Sequence, residues 1–309
     1  YASLQDWVEL ADSYYLASVD TSEGNAGIPT IWGTDAVHGH NNVIGATIFP
    51  HNIALGAVGD AKLAAAIAEA TAREVSATGI DWIFAPTVAV ALDARWGRTY
   101  EAYGSDPKMT GEFAGGIVEA MQSVGIVATA KHFIGDGGTA RGIDQGNTRL
   151  DKDSLLSVHG QGYYSAIEAG VQTVMASFNS WNGDKIHGNH ELLTHVLREE
   201  MGFEGFVISD WNGIGQVSGC NPDNCARAVN AGIDMVMAPE DWRTLHHNML
   251  DQVRSGEISE SRIDEAVTRI LKVKFRSGLM ERGLPSKRAA AFSDSIGSEA
   301  HRELARDAV

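Results

Sequence analysis

The sequence has 309 residues, of which 44% are hydrophobic and 21% charged, with 34 glycines. That length suits one large core, or a barrel domain with an appendage. Lys plus Arg number 24 against 40 Asp plus Glu, a formal net charge of −16, which argues against nucleic acid and anionic membranes as partners and favours a neutral ligand.

Leu4, Trp7, Val8, Leu10 and Ala11 fall at helical spacing and predict a helix over 3–20, which Gly24 to Gly27 break. Residues 29–35 read as a strand ending in Asp35, followed by the polar loop Val37-His38-Gly39-His40-Asn41-Asn42. Asp60 is the expected N-cap of an Ala-rich helix over 61–78. A strand over 81–86 and a long loop over 93–101, with Arg95, Trp96 and Arg98, come next. A helix over 107–123 precedes a strand over 125–133 that ends in Lys131 and His132, and a glycine-rich loop over 135–139 follows. The beat repeats with a helix over 153–169, a strand over 173–179, a helix over 190–201 and a strand over 205–211. A helix over 224–231, a strand over 234–239, helices over 241–255 and 260–276, a polar linker around 285–287 and a helix over 295–308 complete the chain.

These are six strands alternating with helices, each apolar without period-2 alternation, as expected of parallel strands buried on both faces. A doubly wound sheet and a barrel both fit. Polar residues end most of the strands, namely Asp35, Lys131, His132, Asn179 and Asp210, and their convergence on one rim favours a TIM-like (β/α)8 barrel. Six strands are two short of eight. We expect residues 1–283 to form the barrel domain and 284–309 to be a linker.

No run approaches the roughly 20 apolar residues of a membrane span, and no basic-then-apolar leader is present. The first residue is Tyr1 rather than Met, so we expect a processed chain or a piece of a longer one. Cys220 and Cys225 flank a four-residue loop that fits either a small disulfide or two reduced thiols. A disulfide and the missing initiator Met both suggest a secreted or periplasmic protein.

The stretch on which function turns is Gly205-Phe206-Val207-Ile208-Ser209-Asp210-Trp211. An unpaired carboxylate inside a buried strand is costly, whereas one at the C-terminal mouth of a barrel strand faces a pocket. Asp210 is therefore either a pocket carboxylate or a cap for the next helix and its loop amides. Phosphate-loop, dinucleotide, nucleophile-elbow and zinc-helix motifs are all missing, and no cofactor is expected. His38 and His40 are possible metal ligands without an evident third, so no metal site is assigned. Carboxylates with Lys, Arg and His donors beside a Trp platform suit a polyhydroxylated neutral ligand, and a carboxylate beside that platform can attack an anomeric carbon. Two other classes fit part of the pattern. Lys131 at a strand end is also placed like a Schiff-base aldolase lysine, and the rim also suits a non-catalytic sugar-binding barrel.

Several motifs occur together and in order: Gly33-Thr34-Asp35-Ala36-Val37-His38-Gly39, Phe49-Pro50-His51-Asn52, Arg95-Trp96-Gly97-Arg98, Lys131-His132-Phe133-x-Gly135-Asp136-Gly137-Gly138-Thr139, Ser180-Trp181-Asn182-Gly183 and the Asp210 stretch. On these the chain resembles the N-terminal barrel domain of glycoside hydrolase family 3, the β-glucosidase and β-glucan exohydrolase family. The resemblance implies that Asp210 is the nucleophile of a retaining mechanism. It also implies that Asp35, Arg98, Lys131 and His132 grip the hydroxyls of a terminal glucose and that Trp211 lines the sugar sites. Substrates would be β-glucans or β-glucosides and the product glucose, with β-N-acetylhexosaminidase or β-xylosidase activity as alternatives in the same family. Two departures stand out, Gln145 where plant exohydrolases carry Glu, and Phe178 where Tyr is common. In two-domain relatives the acid/base is a Glu of a second α/β domain, towards which the resemblance implies that 284–309 lead, and the loop after Phe133 lacks the His used by shorter relatives, so the acid is expected outside these residues.

Overall fold

The computed structural model describes residues 2–309. Helix α1 (Leu4–Val19) opens with a capping box, in which the Ser3 side chain accepts the Asp6 amide and the Asp6 carboxylate accepts the Ser3 amide. Strand β1 (Gly33–Thr34) is followed by α2 (Asn52–Val58), α3 (Ala61–Ala77) and β2 (Trp82–Ile83). Asp60 caps α3 as expected, accepting the Lys62 and Leu63 amides. Helix α4 (Pro107–Ser123) leads into β3 (Val127–Phe133) and the short β4 (Asn147–Thr148). The helix expected over 153–169 is two helices, α5 (Lys152–His159) and α6 (Gln161–Glu168), with a break at Gly160, where two glycines in three residues weaken helix propagation. Then come β5 (Thr173–Ala176), the hairpin strands β6 (Ser180–Trp181) and β7 (Asp184–Lys185), a π-type helix over Glu191–Glu200 and β8 (Phe206–Ile208). Helices α7 (Ala226–Ala231), α8 (Trp242–Ser255), α9 (Glu260–Arg276) and α10 (Glu299–Asp307) complete the order. No helix among the described residues is long and apolar enough to cross a membrane.

Five strands form one parallel, curled sheet in the order β1-β2-β3-β5-β8. The strand expected over 234–239 is reduced to one parallel bridge, Met235 with Ile208, supported by Ser209 N–H to Met235 C=O at 2.9 Å. The parallel α/β architecture is as expected, with the sheet forming the wall of an open half-barrel.

Alternation along the strands sorts the side chains between two faces. Ile83, Ala128, Ala130, Val174, Ala176 and Val207 join the main core with residues of α3, α4 and α6, such as Val75, Ile117 and Tyr163. The concave face carries a second apolar layer: Trp82, Val127, Met175, Phe206 and Ile208. Gly33 leaves room for it, since a Cβ there would lie 2.7 Å from the Phe84 ring and 2.9 Å from that of Trp82. Trp82 Nε1 donates to Thr129 Oγ1 at 2.7 Å and Thr173 Oγ1 at 3.1 Å, satisfying the indole in the interior.

Helix α9 covers this concave layer. Val273 is fully buried in it, Ile270 packs alongside, and Lys274 Nζ reaches the Pro29 carbonyl at 2.7 Å. The tie at the base of α9 is Asp234, whose side chain is wholly buried among Arg198, Arg262 and Arg269 and also accepts the Val207 amide at 2.9 Å. Residues beyond α9 return to the start of the fold. Arg288 pairs with Asp81 at 2.6 Å, the Ser286 amide donates to Asp12 at 2.8 Å, and His301 Nδ1 lies 2.8 Å from Glu74.

Removing a buried ionic partner leaves uncompensated charge. Asp234→Ala is expected to lower stability by about 3–5 kcal/mol, measured by urea unfolding. A loss under about 1 kcal/mol would show that backbone carbonyls suffice for the three arginines.

Candidate active site

The concave layer ends upward in charge. Asp35 follows β1, Lys131 and His132 end β3, and Asp210 lies two residues past β8. These four line one cavity of about 290 Å³ together with Arg98 and Trp211, whereas Asn179, also expected on this rim, does not line it and donates instead to the Ile134 carbonyl and Thr148 Oγ1. Val37, Phe84, Tyr100, Glu101, Met175 and Met237 complete the wall.

Adjacent residues of a regular strand point to opposite faces, yet both Lys131 and His132 reach this cavity. The register between β3 and β5 shifts between Ala130 and Phe133, and this irregularity re-aims one side chain. Lys131 is 5% exposed, and its Nζ lies 2.6 Å from Asp35 Oδ1. Arg98 grips Glu101 with two hydrogen bonds, Nε at 2.6 Å and Nη2 at 2.9 Å. Burial opposes both charges. The Glu101 hydrogen bonds and charge still hold the Arg98 guanidinium above its usual range, and those of Arg98 hold Glu101 below the usual carboxylate range. His132 Nδ1 lies 3.0 Å from Asp136 Oδ2, and its Nε2 lies 3.1 Å from Arg98 Nη2.

Asp210 is held from below and beside. Its amide donates to His187 Nε2 at 2.9 Å, and its Oδ1 accepts the Trp211 amide at 2.7 Å. Oδ2 is buried without a hydrogen-bond partner among the described residues, 3.7 Å from His132 Nε2. Asp210 therefore takes one loop amide, while the short turn that follows has Asn212 at its N-cap. Trp211 is 58% exposed, with its ring on the cavity rim.

Three residues outside the sequence assignment belong to this site: Glu101, Asp136 and His187. Glu101 stands three after Arg98 and Asp136 four after His132, spacings that place partners side by side on a turn. Other sequence signals resolve into structure. Ser180-Trp181-Asn182-Gly183 is the β6–β7 hairpin, whose turn residues Asn182 and Gly183 have φ of 48° and 95°. Gln145 Oε1 accepts from Gln216 Nε2 at 2.8 Å, and Phe178 packs against the His187 ring. His38 meets the His51 ring edge to face, while His40 Nε2 meets Thr78 Oγ1 at 3.1 Å, so the two rings serve different neighbours. Among the described residues no group of three or more His, Cys, Asp or Glu side chains could hold a metal ion. Cys220 and Cys225 are bonded to each other.

The profile of the glycosyl hydrolase family 3 N-terminal domain matches residues 2–273. The chain belongs to that family. A lysosomal beta glucosidase of Dictyostelium discoideum is 32% identical over 317 residues, 97% of this chain and 38% of that protein. A beta-xylosidase of Formosa agariphila is 32% identical over 303 residues, 90% of this chain and 42% of its own length. An exo-1,3/1,4-beta-glucanase structure from a Pseudoalteromonas species matches with a TM-score of 0.97 and 51% identity, over 99% of this chain and 40% of that one. The chain thus spans 38–42% of the length of these family 3 relatives. The half-barrel described above is the TIM-like fold of the family's N-terminal domain.

Three deeply buried histidines have strongly lowered pKa values. Burial pushes His187 down to about 3, and His40 and His159 each to about 4. An unfolded histidine titrates near 6.5 and so binds more protons below that pH, which makes stability fall as pH falls through this window. His195, raised by its hydrogen bond to Glu199, acts in the opposite sense but is exposed. The urea midpoint is expected to drop from pH 6.5 to 5, above the carboxylate range, and His159→Phe to make that slope shallower. An unchanged slope would show that His159 does not contribute.

Proposed function

We propose that the cavity holds the terminal β-D-glucose of a β-glucan, cello-oligosaccharide or β-glucoside, and that the protein is a retaining exo-acting β-glycosidase. The observation that carries this is the bare Asp210 Oδ2, buried in a cavity whose other charges are paired. In this reading Oδ2 forms a bond to the anomeric carbon as the bond to the glycosidic oxygen breaks, and water later releases glucose with retained configuration. Asp35, Lys131, Arg98 and His132 bind the hydroxyls, and Trp211 lies against the apolar face of the ring. A volume of about 290 Å³ is at the low end for small-ligand pockets and suits one sugar unit, which favours exo action.

The leaving oxygen needs a proton. Asp35 is paired with Lys131 and Glu101 with Arg98, so neither is placed as a free acid. We assign the acid to a second domain, in keeping with relatives more than twice as long as this chain. For the 309 residues alone, the same pairing favours sugar binding with weak or no turnover. Xylose is the alternative glycone, favoured by the relative named beta-xylosidase, and kcat/KM on paired aryl glucosides and xylosides separates the two. An aldolase role is disfavoured because the Lys131 amine is tied to a carboxylate at 2.6 Å. The Cys220–Cys225 bond supports a secreted or periplasmic location.

A 2-fluoro-glucoside with a good leaving group is expected to label Asp210 of the full-length protein, as read by peptide mapping. Asp210→Asn should lower kcat/KM about 10⁴-fold or more. No adduct on the folded full-length protein, or one elsewhere, would overturn the assignment. The isolated 309-residue chain should hydrolyse unactivated glucosides about 10²–10⁴-fold more slowly than the full-length protein, while an activated aryl glucoside still forms the adduct. Equal rates on both substrates would show that no external acid is needed.

A further inference from the structure

The contacts of His132 determine where its proton sits. A carboxylate accepts, so the 3.0 Å contact with Asp136 Oδ2 places a proton on Nδ1. A guanidinium donates in every hydrogen bond it makes, so the 3.1 Å contact with Arg98 Nη2 requires a lone pair on Nε2. Two independent partners thus demand the same species, a neutral ring protonated at Nδ1. Asp136 is 7% exposed, and its other oxygen accepts the Gly137 amide at 3.0 Å, which fixes the carboxylate within its own loop.

His187, on the other side of Asp210, is in the same state. Its Nε2 accepts the Asp210 amide at 2.9 Å, so any ring proton sits on Nδ1. Both imidazoles therefore present acceptors towards Asp210, and neither donates to its carboxylate. Were the His132 proton on Nε2 instead, it would lie between Arg98 and Asp210 Oδ2, the latter 3.7 Å away. A small shift would then close a hydrogen bond onto the attacking oxygen, and an oxygen that accepts such a bond is the weaker nucleophile.

We propose that Asp136 is a positioning residue for the reaction assigned above: it locks His132 as the Nδ1–H tautomer, so that Nε2 accepts from Arg98 and Asp210 Oδ2 stays unbound. The inference rests on the reading of Asp210 as nucleophile. An orienting carboxylate behind a histidine does comparable work elsewhere, and its amide replacement loses activity through the wrong tautomer with little change in geometry.

The test uses full-length protein and its Asp136→Asn variant. An asparagine can accept from Nδ1–H or donate to Nδ1, so it no longer dictates the tautomer. Neutron diffraction from deuterated crystals is expected to show a deuteron on His132 Nδ1 alone in the native protein and, with only Arg98 left to oppose it, partial occupancy on Nε2 in the variant. The rate constant for labelling of Asp210 by the 2-fluoro-glucoside is expected to fall about tenfold or more, with the reagent's dissociation constant changed much less. A native deuteron on Nε2 overturns the proposal even if the variant fails to fold. So does a labelling rate within twofold of native, or a parallel loss of binding and melting temperature, which marks a structural role. Failure of the native protein to label Asp210 at all counts against the glycosidase reading instead, and the native deuteron position still decides the tautomer.

Discussion

A charge on the concave face of this sheet has to find a partner, and that requirement shapes the site. Lys131 lies almost wholly out of water and is matched by Asp35, Arg98 by Glu101, and the His132 ring by Asp136. Desolvating any one of these groups alone would cost several kcal/mol. The pairing is so complete that the exception carries information. One oxygen of Asp210 is left over, and it lies where a ligand would take the place of water.

The rim is only as well placed as the layer beneath it. Trp82, Met175, Phe206 and Ile208 fill the space between the strands and α9, and the indole is held by Thr129 and Thr173. This packing sets the level at which β3 and β8 release their polar ends. Asp234 does the matching work at the opposite end, where one carboxylate gathers three arginines from two helices and fixes α9 over the sheet. The floor is apolar and the two ends are ionic, the usual division in barrels between stability at one end and chemistry at the other.

How much of this could be read in advance varied with the physical signal. Asp35 and Asp210 were legible because an acidic residue closing an apolar run has few structural uses. Asp60 and Pro107 marked helix starts because capping is local chemistry. The joint use of Lys131 and His132 depends on an irregularity in β3 that no periodicity announces. The motif Ser180-Trp181-Asn182-Gly183 carries the family resemblance without announcing its structure, in which the Trp donates to the Leu150 carbonyl beside a tight turn. Helix α2 starts at the end of the Phe49-Pro50-His51-Asn52 motif, in a stretch given no secondary structure from sequence, and the strand over 234–239 shrank to a bridge because its partner on one side is a helix rather than another strand. Glu101 and Asp136 went unassigned because a carboxylate that orients a neighbour has no sequence pattern beyond its spacing.

Helix α9 is made after all five strands whose inner face it covers. During synthesis the concave apolar layer therefore waits for Ile270 and Val273, and the strands stand with one wet face until those residues have emerged. Exposed apolar strand surface is what chaperones bind and what aggregates at high expression. The order of the chain thus makes the late helix the step that commits the nascent domain to its native state, well after β8 is complete.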